Sequence, residues 1–170
     1  MMRYRHGMKI GVLSDTHDNL ANIRRAVELF AARGVGALVH AGDICSPFSL
    51  LEFAPLAAKG IRMHAVFGNN DGDRVMLVRK GVGFCEFRDG AAVVELDGRW
   101  VVVTHYPDLA PALLASGVYD LVVHGHDHTV RVEGPPGRLL NPGACSGYLA
   151  ARATVAVVDT ADLSIEVIDL

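Results

Sequence analysis

Three short apolar segments, separated by stretches of helical length, occupy the first 70 residues and restrict the fold more than any other feature. Lys9–Leu13, Ala37–His40 and Arg62–Phe67 are typical of buried strands. Between them lie Leu20–Arg33, with apolar residues at helical spacing, and Pro47–Ala58, which starts with proline after a serine N-cap. This alternation of strand and helix predicts a parallel sheet built through right-handed crossovers.

The second half of the chain carries hairpin signals instead. The dipeptide Asp97-Gly98 favours a tight turn between two antiparallel strands. The predicted elements are a hairpin of Ala91–Leu96 and Arg99–Thr104, a short helix at Ala110–Ser116, a strand at Asp120–His124 and a second hairpin of Ala153–Asp159 and Leu163–Asp169. Together the elements predict an α+β/αβ fold of the four-layer type, in which mixed sheets pack as a β-sandwich flanked by α-helices. Because no repeat or linker interrupts the chain, residues 1–170 are expected to form a single domain, with residues 1–7 as a disordered leader.

The composition argues against several classes of protein. With 51% hydrophobic and 21% charged residues, the chain is expected to be globular. The formal net charge is −3 and no run of Lys or Arg exceeds two residues, which disfavours a nucleic-acid polymer as partner but permits small phosphorylated substrates. No apolar stretch reaches the roughly 18 residues of a membrane span. Cys45, Cys85 and Cys145 are odd in number and lack a CxxC spacing, so we expect reduced thiols and a cytoplasmic location.

Side chains of the metal-binding type follow five of the predicted strands at their carboxyl ends. In sheet proteins this edge is where sites are built, so these side chains are expected to converge. Carboxylate, amide and imidazole groups without a thiolate suit Mn²⁺, Fe²⁺, Ni²⁺, Co²⁺ or Zn²⁺. The residues are Asp15, His17, Asp43, Asn69, His105, His126 and His128.

The order of these motifs resembles the calcineurin-like metallophosphoesterase family. The order is Asp-x-His, Gly-Asp, Gly-Asn-x-Asp, a lone His and Gly-His-x-His, and it extends from Asp15 to His128. The later Asn141-Pro142-Gly143 is similar to the small, single-domain phosphodiesterase branch of that family. The resemblance implies a β-sandwich flanked by helices, which agrees with the elements predicted above.

The resemblance also implies a role for each ligand. One divalent ion is expected on Asp15, His17 and His128, a second on Asn69, His105 and His126, and Asp43 is expected to bridge both. Mn²⁺ is the expected ion, with Ni²⁺, Co²⁺, Fe²⁺ and Zn²⁺ as alternatives. The implied activity is hydrolysis of small phosphate esters, diesters in preference to monoesters, by in-line attack of a hydroxide that bridges the two ions.

Asp43, Asn70 and His105 are expected to act in catalysis. Asn70 departs from larger family members, which often have His at this position. An asparagine amide donates a hydrogen bond to phosphate but cannot supply a proton, so we expect weaker catalysis on esters with poor leaving groups. Tyr106 is a second departure, since Gly is common there in relatives, and two interpretations stay open: it shapes the pocket or stacks on a substrate base, or it only fills a loop.

Two other functions fit a fold of this kind. One is a non-catalytic scaffold similar to the retromer subunit, which a loss of metal ligands would favour; here all seven ligands are intact. The other is a DNA exonuclease of the same superfamily, disfavoured by the absence of a basic patch and of room for a DNA-binding domain. The apolar strand Ala91–Leu96 offers an edge for self-association, so a homo-oligomer is among the expected states.

Overall fold

The structure is a computed structural model that describes residues 7–134 and 138–170. The predicted leader spans residues 1–7, and all of it except Gly7 lies outside the described residues. Within the described ranges, none of the helices is both long and apolar enough to cross a membrane.

The strands form two mixed sheets. They are β1 (Lys9–Leu13), β2 (Ala37–His40), β3 (Arg62–Val66), β4 (Cys85–Arg88), β5 (Ala91–Leu96), β6 (Arg99–Thr104), β7 (Leu121–Val123), β8 (Arg131–Glu133), β9 (Arg138–Asn141), β10 (Thr154–Asp159) and β11 (Ile165–Asp169). The first sheet has the order β11-β10-β1-β2-β3-β4, and the second has the order β5-β6-β7-β9-β8. Strands β1 to β4 are parallel to one another, as are β6, β7 and β9.

Helices cover the outer faces of both sheets. They are α1 (Leu20–Arg33), α2 (Pro47–Leu50), α3 (Ala54–Ala57), α4 (Arg74–Gly81) and α5 (Ala110–Ala115), with single 3₁₀ turns at Leu51–Phe53 and Pro107–Leu109. The longest helix, α1, begins after Asn19, whose side chain accepts a hydrogen bond from Asn22 N, and ends at Gly34 in the left-handed conformation.

Three apolar cores separate four layers. The first, around Phe30 and Phe53, lies between α1 to α4 and the first sheet. The second, around Val39 and Val103, lies between the two sheets, and the third packs Ala110 of α5 on the second sheet. Full burial of a valine or phenylalanine side chain, such as Val39 or Phe30, contributes about 1.5–3 kcal/mol to the free energy of unfolding. The four layers confirm the predicted β-sandwich flanked by helices.

Several elements differ from the predicted ones. The stretch Pro47–Ala58 breaks into α2, a 3₁₀ turn and α3, because Pro55 lacks an amide proton and restricts the residue before it. Helix α4 was not predicted, since Val75 and Val78 are exposed and its apolar residues do not mark one buried face. Strand β8 was also missed, because a three-residue edge strand is too short to show a period. Both predicted hairpins are present, the second with slightly shorter strands.

Candidate metal centre

The loops after β1, β2, β3, β6 and β7 meet at one edge of the sandwich. Backbone hydrogen bonds hold the loops in register: Asp15 N donates to Gly42 O at 3.0 Å, and His17 N donates to Asp43 O at 3.0 Å. Gly125 N, after β7, donates to the carbonyl of His105 at 3.0 Å, which joins the two loops of the second sheet. All seven predicted ligand side chains therefore lie beside one another.

Asp15, His17 and His128 form a first group of donors. The Nε2 atoms of the two histidines are 3.2 Å apart. Asp15 Oδ1 lies 3.3 Å from His128 Nε2 and 3.7 Å from His17 Nε2. The three donor atoms lie within 4.8 Å of one another, close enough to share a single ion.

Asn69, His105 and His126 form a second group of similar size. Asn69 Oδ1 lies 3.0 Å from His105 Nε2 and 3.0 Å from His126 Nδ1. The two imidazole nitrogens are 3.2 Å apart. His105 is fully buried, whereas His126 is exposed, so this group opens toward solvent on one side.

Asp43 lies between the two groups. Its Oδ2 atom is 3.7 Å from His17 Nε2 in the first group and 3.5 Å from His105 Nε2 in the second. The side chain is almost completely buried. One carboxylate oxygen thus faces donors of both groups.

A buried carboxylate oxygen tests whether metal ions fit this cluster. Asp15 Oδ1 is buried and has no hydrogen-bond partner among the described residues. A buried charged oxygen without a hydrogen bond is costly, and a cation beside it removes that cost. Because the surrounding donors are carboxylate, amide and imidazole groups, the residues fit divalent ions of the first transition row.

The ionisation of the first group also favours a cation. Burial by itself raises the pKa of Asp15, but its contact with His17 and the charges on the nearby histidines lower it by more, so this pKa lies below its ordinary value. The same contact raises the pKa of His17. Asp15 is therefore charged at neutral pH, and His17 stays protonated to higher pH than an isolated histidine, so an ion that binds its Nε2 competes with a proton.

Backbone carbonyls orient two of the ligand histidines. His105 Nδ1 lies 2.7 Å from Ala41 O, and His128 Nδ1 lies 2.7 Å from Tyr148 O. A carbonyl accepts only from a protonated nitrogen, so both rings carry hydrogen on Nδ1 and present the Nε2 lone pair to the cluster. His17 Nδ1 lies 3.5 Å from Cys45 Sγ, a weaker hydrogen-bonding group than a backbone carbonyl.

Asp71 holds the ligand loops together by hydrogen bonds. It was not predicted as a functional residue. Its carboxylate accepts hydrogen bonds from the backbone N–H groups of Gly68, Cys45 and Asp43 at 2.7, 2.8 and 3.1 Å. The signal was present in the sequence as the acid that ends Gly-Asn-Asn-Asp, but only the structure shows that it faces the backbone and not the cluster.

Two further histidines lie behind the ligand loops. His40 Nδ1 accepts from Gly42 N at 3.1 Å, and its Nε2 lies 3.2 Å from Thr16 Oγ1. Burial lowers the pKa of His40 to about 3, so it is neutral at physiological pH. His124 is also buried, and its Nε2 has no hydrogen-bond partner among the described residues.

The ligand loops hold strained backbone. Five of the seven predicted ligands have positive φ angles: Asp15, His17, Asp43, His126 and His128. Left-handed backbone is rare outside glycine and persists where the surroundings enforce it, often at functional sites. The loops also approach closely, because a Cβ at Gly68 would overlap the Asp43 carboxylate and a Cβ at Gly125 would overlap Ser14 Oγ.

A pocket of about 490 Å³ opens over the cluster. Asn70 lines it, although its amide nitrogen donates to Asp43 Oδ2 at 2.8 Å. Tyr148 and Leu149 form part of its wall and were not predicted, because nothing in their local pattern marks them. Tyr106 is half-exposed, and its ring lies 5.0 Å from those of His105 and His126, so it contacts two predicted ligands.

This four-layer sandwich with Asp, Asn and His side chains at one edge has the architecture of the metallophosphoesterase fold. Residues 8–163 match the calcineurin-like phosphoesterase superfamily domain, and the chain belongs to this superfamily. The resemblance seen in the sequence motifs is confirmed.

Individual relatives agree with this assignment. A phosphodiesterase of Methanocaldococcus jannaschii is 39% identical over 158 residues, which cover 90% of this chain and 93% of the relative. The solved structure of an archaeal phosphodiesterase has a TM-score of 0.88 and 36% identity, over 96% of this chain and 100% of that one. Vps29 of Entamoeba histolytica has a TM-score of 0.67 at 14% identity, over 96% of this chain and 99% of its own, and is similar in fold alone.

Proposed function

We propose that this protein is a dinuclear metal-dependent phosphodiesterase that hydrolyses small phosphate esters. The observation that carries the proposal is the position of Asp43 Oδ2, between one group of three donors and another. A single ion needs only one such group, whereas a carboxylate that faces both suits a bridge between two ions.

The distances support the ligand assignment that the family resemblance implies. Asp15, His17 and His128 hold one ion, Asn69, His105 and His126 hold the other, and Asp43 bridges them. Mn²⁺ is the proposed ion, with Ni²⁺, Co²⁺, Fe²⁺ and Zn²⁺ as alternatives that the same donors accept. When bound, the two ions supply the Lewis acidity that activates water for in-line attack on phosphorus and stabilises charge on the phosphoryl oxygens.

The chain's own residues position the ligands and the substrate. Ala41 O and Tyr148 O keep His105 and His128 in the tautomer that leaves Nε2 free. Asn70 holds Asp43 through both its backbone and its side chain, and it lines the pocket from which a substrate approaches. Within hydrogen-bond reach of a bound phosphate, its amide donates to an oxygen but has no proton to transfer to a leaving group.

The size and polarity of the pocket support a small substrate. A volume of about 490 Å³ suits a small organic phosphate, and its polar floor is made of the predicted ligands. The preference for diesters rests on the two related phosphodiesterases at 39% and 36% identity. The free thiols Cys45, Cys85 and Cys145 support the further proposal of a reducing, cytoplasmic setting.

The scaffold alternative has weaker support. It rests on the fold of Vps29, at 14% identity. A scaffold has no need for the strained loops, or for a buried carboxylate oxygen of Asp15 without a hydrogen bond among the described residues. Both features lower the stability of the fold, and a metal centre gives a reason for them.

The test is metal-dependent turnover. Purified protein loaded with Mn²⁺ is given bis(p-nitrophenyl) phosphate and, separately, p-nitrophenyl phosphate. We expect turnover of both, faster for the diester, and loss of both in Asp43→Asn, which keeps the size of the side chain but weakens the bridge. The matched control is Asp162→Asn, an exposed carboxylate in the β10–β11 turn, at the end of β1 opposite to the ligand loops, which should leave both rates unchanged.

The outcome separates the two functions. Absence of turnover above the Asp43→Asn level with any of Mn²⁺, Ni²⁺, Co²⁺, Fe²⁺ and Zn²⁺ would reject the enzyme and leave the scaffold. The stoichiometry of bound metal, measured by elemental analysis, tests the dinuclear assignment separately: two ions per chain in the wild type support it, and one contradicts it.

A further inference from the structure

Leu149 is unusual in both its exposure and its backbone. Its side chain is 97% exposed, and its φ angle of 55° lies in the left-handed region. An aliphatic residue gains nothing for folding from either property, because an exposed side chain buries no area and glycine suits this backbone better. Residues with strained backbone of this kind cluster at functional sites.

Leu149 separates two pockets. One is the pocket of about 490 Å³ over the predicted metal ligands, and the other is a groove of about 300 Å³ beside it. Leu149 and His128 line both. Most of the groove's remaining wall is aliphatic, with Val130 and Ala151 among its residues.

The segment around Leu149 is fixed to the site. Tyr148 O accepts the hydrogen bond from His128 Nδ1 at 2.7 Å, and Tyr148 N donates to Ser146 Oγ at 3.2 Å. Ser146 N in turn donates to Asp15 O at 3.0 Å. The position of Leu149 is therefore set relative to two predicted metal ligands.

We propose that Leu149 makes this site selective for phosphodiesters by packing against the second organic group of the substrate in the groove. The inference rests on the proposed function. A phosphate bound beside His128 lies at the boundary between the pocket and the groove. A diester has two organic substituents on its phosphorus and can fill both spaces, whereas a monoester has one and leaves the groove empty.

The groove favours an uncharged substituent, such as an aryl group or a nucleoside. Its one cationic residue, Arg152, already pairs with Asp169 at 2.9 Å. The aliphatic part of the wall stabilises apolar surface, and with Arg152 already paired the described residues of the groove offer little compensation for a second phosphate. The proposed substrate class is therefore a diester of one phosphate with two uncharged organic groups.

The test is Leu149→Gly. Glycine accepts the positive φ without strain, and the exposed Leu149 side chain contributes no core packing, so the variant should fold normally. The matched control is Leu163→Gly, which has the same chemistry at a φ of 60° in the β10–β11 turn, at the end of the sheet remote from the site. For the Mn²⁺-loaded protein we expect Leu149→Gly to raise KM for bis(p-nitrophenyl) phosphate about fivefold, the loss expected for part of a leucine contact. The KM for p-nitrophenyl phosphate should rise clearly less, because a monoester leaves the groove empty, and Leu163→Gly should alter neither substrate's kinetics.

A binding measurement keeps the inference testable without turnover. Calorimetry on the Mn²⁺-loaded protein compares diphenyl phosphate with phenyl phosphate. We expect Leu149→Gly to weaken binding of diphenyl phosphate about fivefold and to weaken binding of phenyl phosphate clearly less. Equal effects on both ligands, or none on diphenyl phosphate, would overturn the inference. Preserved selectivity of binding with no turnover of any ester would instead reject the proposed function and keep the selective groove.

Discussion

Asn70 binds Asp43 at two points: its backbone N–H donates to Oδ1 at 2.8 Å, and its side-chain amide donates to Oδ2 at 2.8 Å. Asp71, the next residue, accepts from the backbone of Asp43 at 3.1 Å. One turn after β3 thus holds both the carboxylate and the main chain of the proposed bridging ligand. Asn70 has a positioning role in this arrangement in addition to its proposed contact with the substrate.

Asn70→His should improve catalysis on esters with poor leaving groups. An imidazole at this position can supply the proton that asparagine lacks, and a positioned general acid contributes on the order of 10²-fold or more. Turnover of an alkyl phosphodiester should therefore rise, whereas that of bis(p-nitrophenyl) phosphate, whose leaving group needs no proton, should not. Asn70→Ala is the control for loss of the hydrogen bond to Asp43. Unchanged rates of Asn70→His on unactivated esters would show that the missing proton donor does not limit this site.

Asp71→Asn should destabilise the fold. An amide in place of the carboxylate weakens three charge-assisted hydrogen bonds and turns an NH₂ group toward backbone N–H donors, a loss of about 3 kcal/mol. Urea unfolding of the metal-free protein measures this free energy. The matched control is Asp89→Asn, whose exposed carboxylate pairs with Arg74 on the surface and should cost less than about 1 kcal/mol. Similar losses in the two variants would contradict the bracing role of Asp71.

His40 should make the metal-free protein less stable in acid. Burial lowers the pKa of His40 to about 3 in the folded state, against about 6.5 in the unfolded chain. Between these values only the unfolded chain takes up the proton, so stability falls as pH decreases, by about 1.4 kcal/mol per pH unit. Unfolding free energies at pH 6 and pH 5 test this against His40→Asn, which keeps an acceptor for Gly42 N but cannot titrate. The pH dependence should be weaker in the variant; parallel curves would exclude the effect.

Metal binding should release a proton from His17. Contact with Asp15 raises the pKa of His17, so the ring is more often protonated near neutral pH than an isolated histidine, and a metal ion must displace that proton. Affinity for Mn²⁺ should therefore decrease as pH falls through this raised pKa. Calorimetric titration in two buffers of different ionisation enthalpy counts the protons released. His17→Gln should release fewer than the wild type, and equal counts would disprove the assignment.

The positions of the proposed ligands along the chain could be predicted because they depend on local sequence. Apolar strands followed by polar turns determine where each side chain leaves a sheet, and the carboxyl ends of parallel strands share one edge. The hairpin at Asp97-Gly98 could also be predicted from local sequence, because that dipeptide accepts the positive φ angles that the turn requires. The sequence by itself therefore determined the fold class and the seven proposed ligand side chains that the structure brings together.

Only the tertiary structure decided how those residues meet. Asp15 and His128 are distant in the chain, and their contact depends on how two separate sheets stack. Asp71 and Asn70 are adjacent polar residues with similar local signals, yet one braces backbone and the other holds Asp43, because packing of the loops sets which way each side chain points. Leu149 shows no local pattern at all. Its exposure and its position between two pockets follow from hydrogen bonds that fix a loop against distant ligands, a relationship that no periodicity in the chain records.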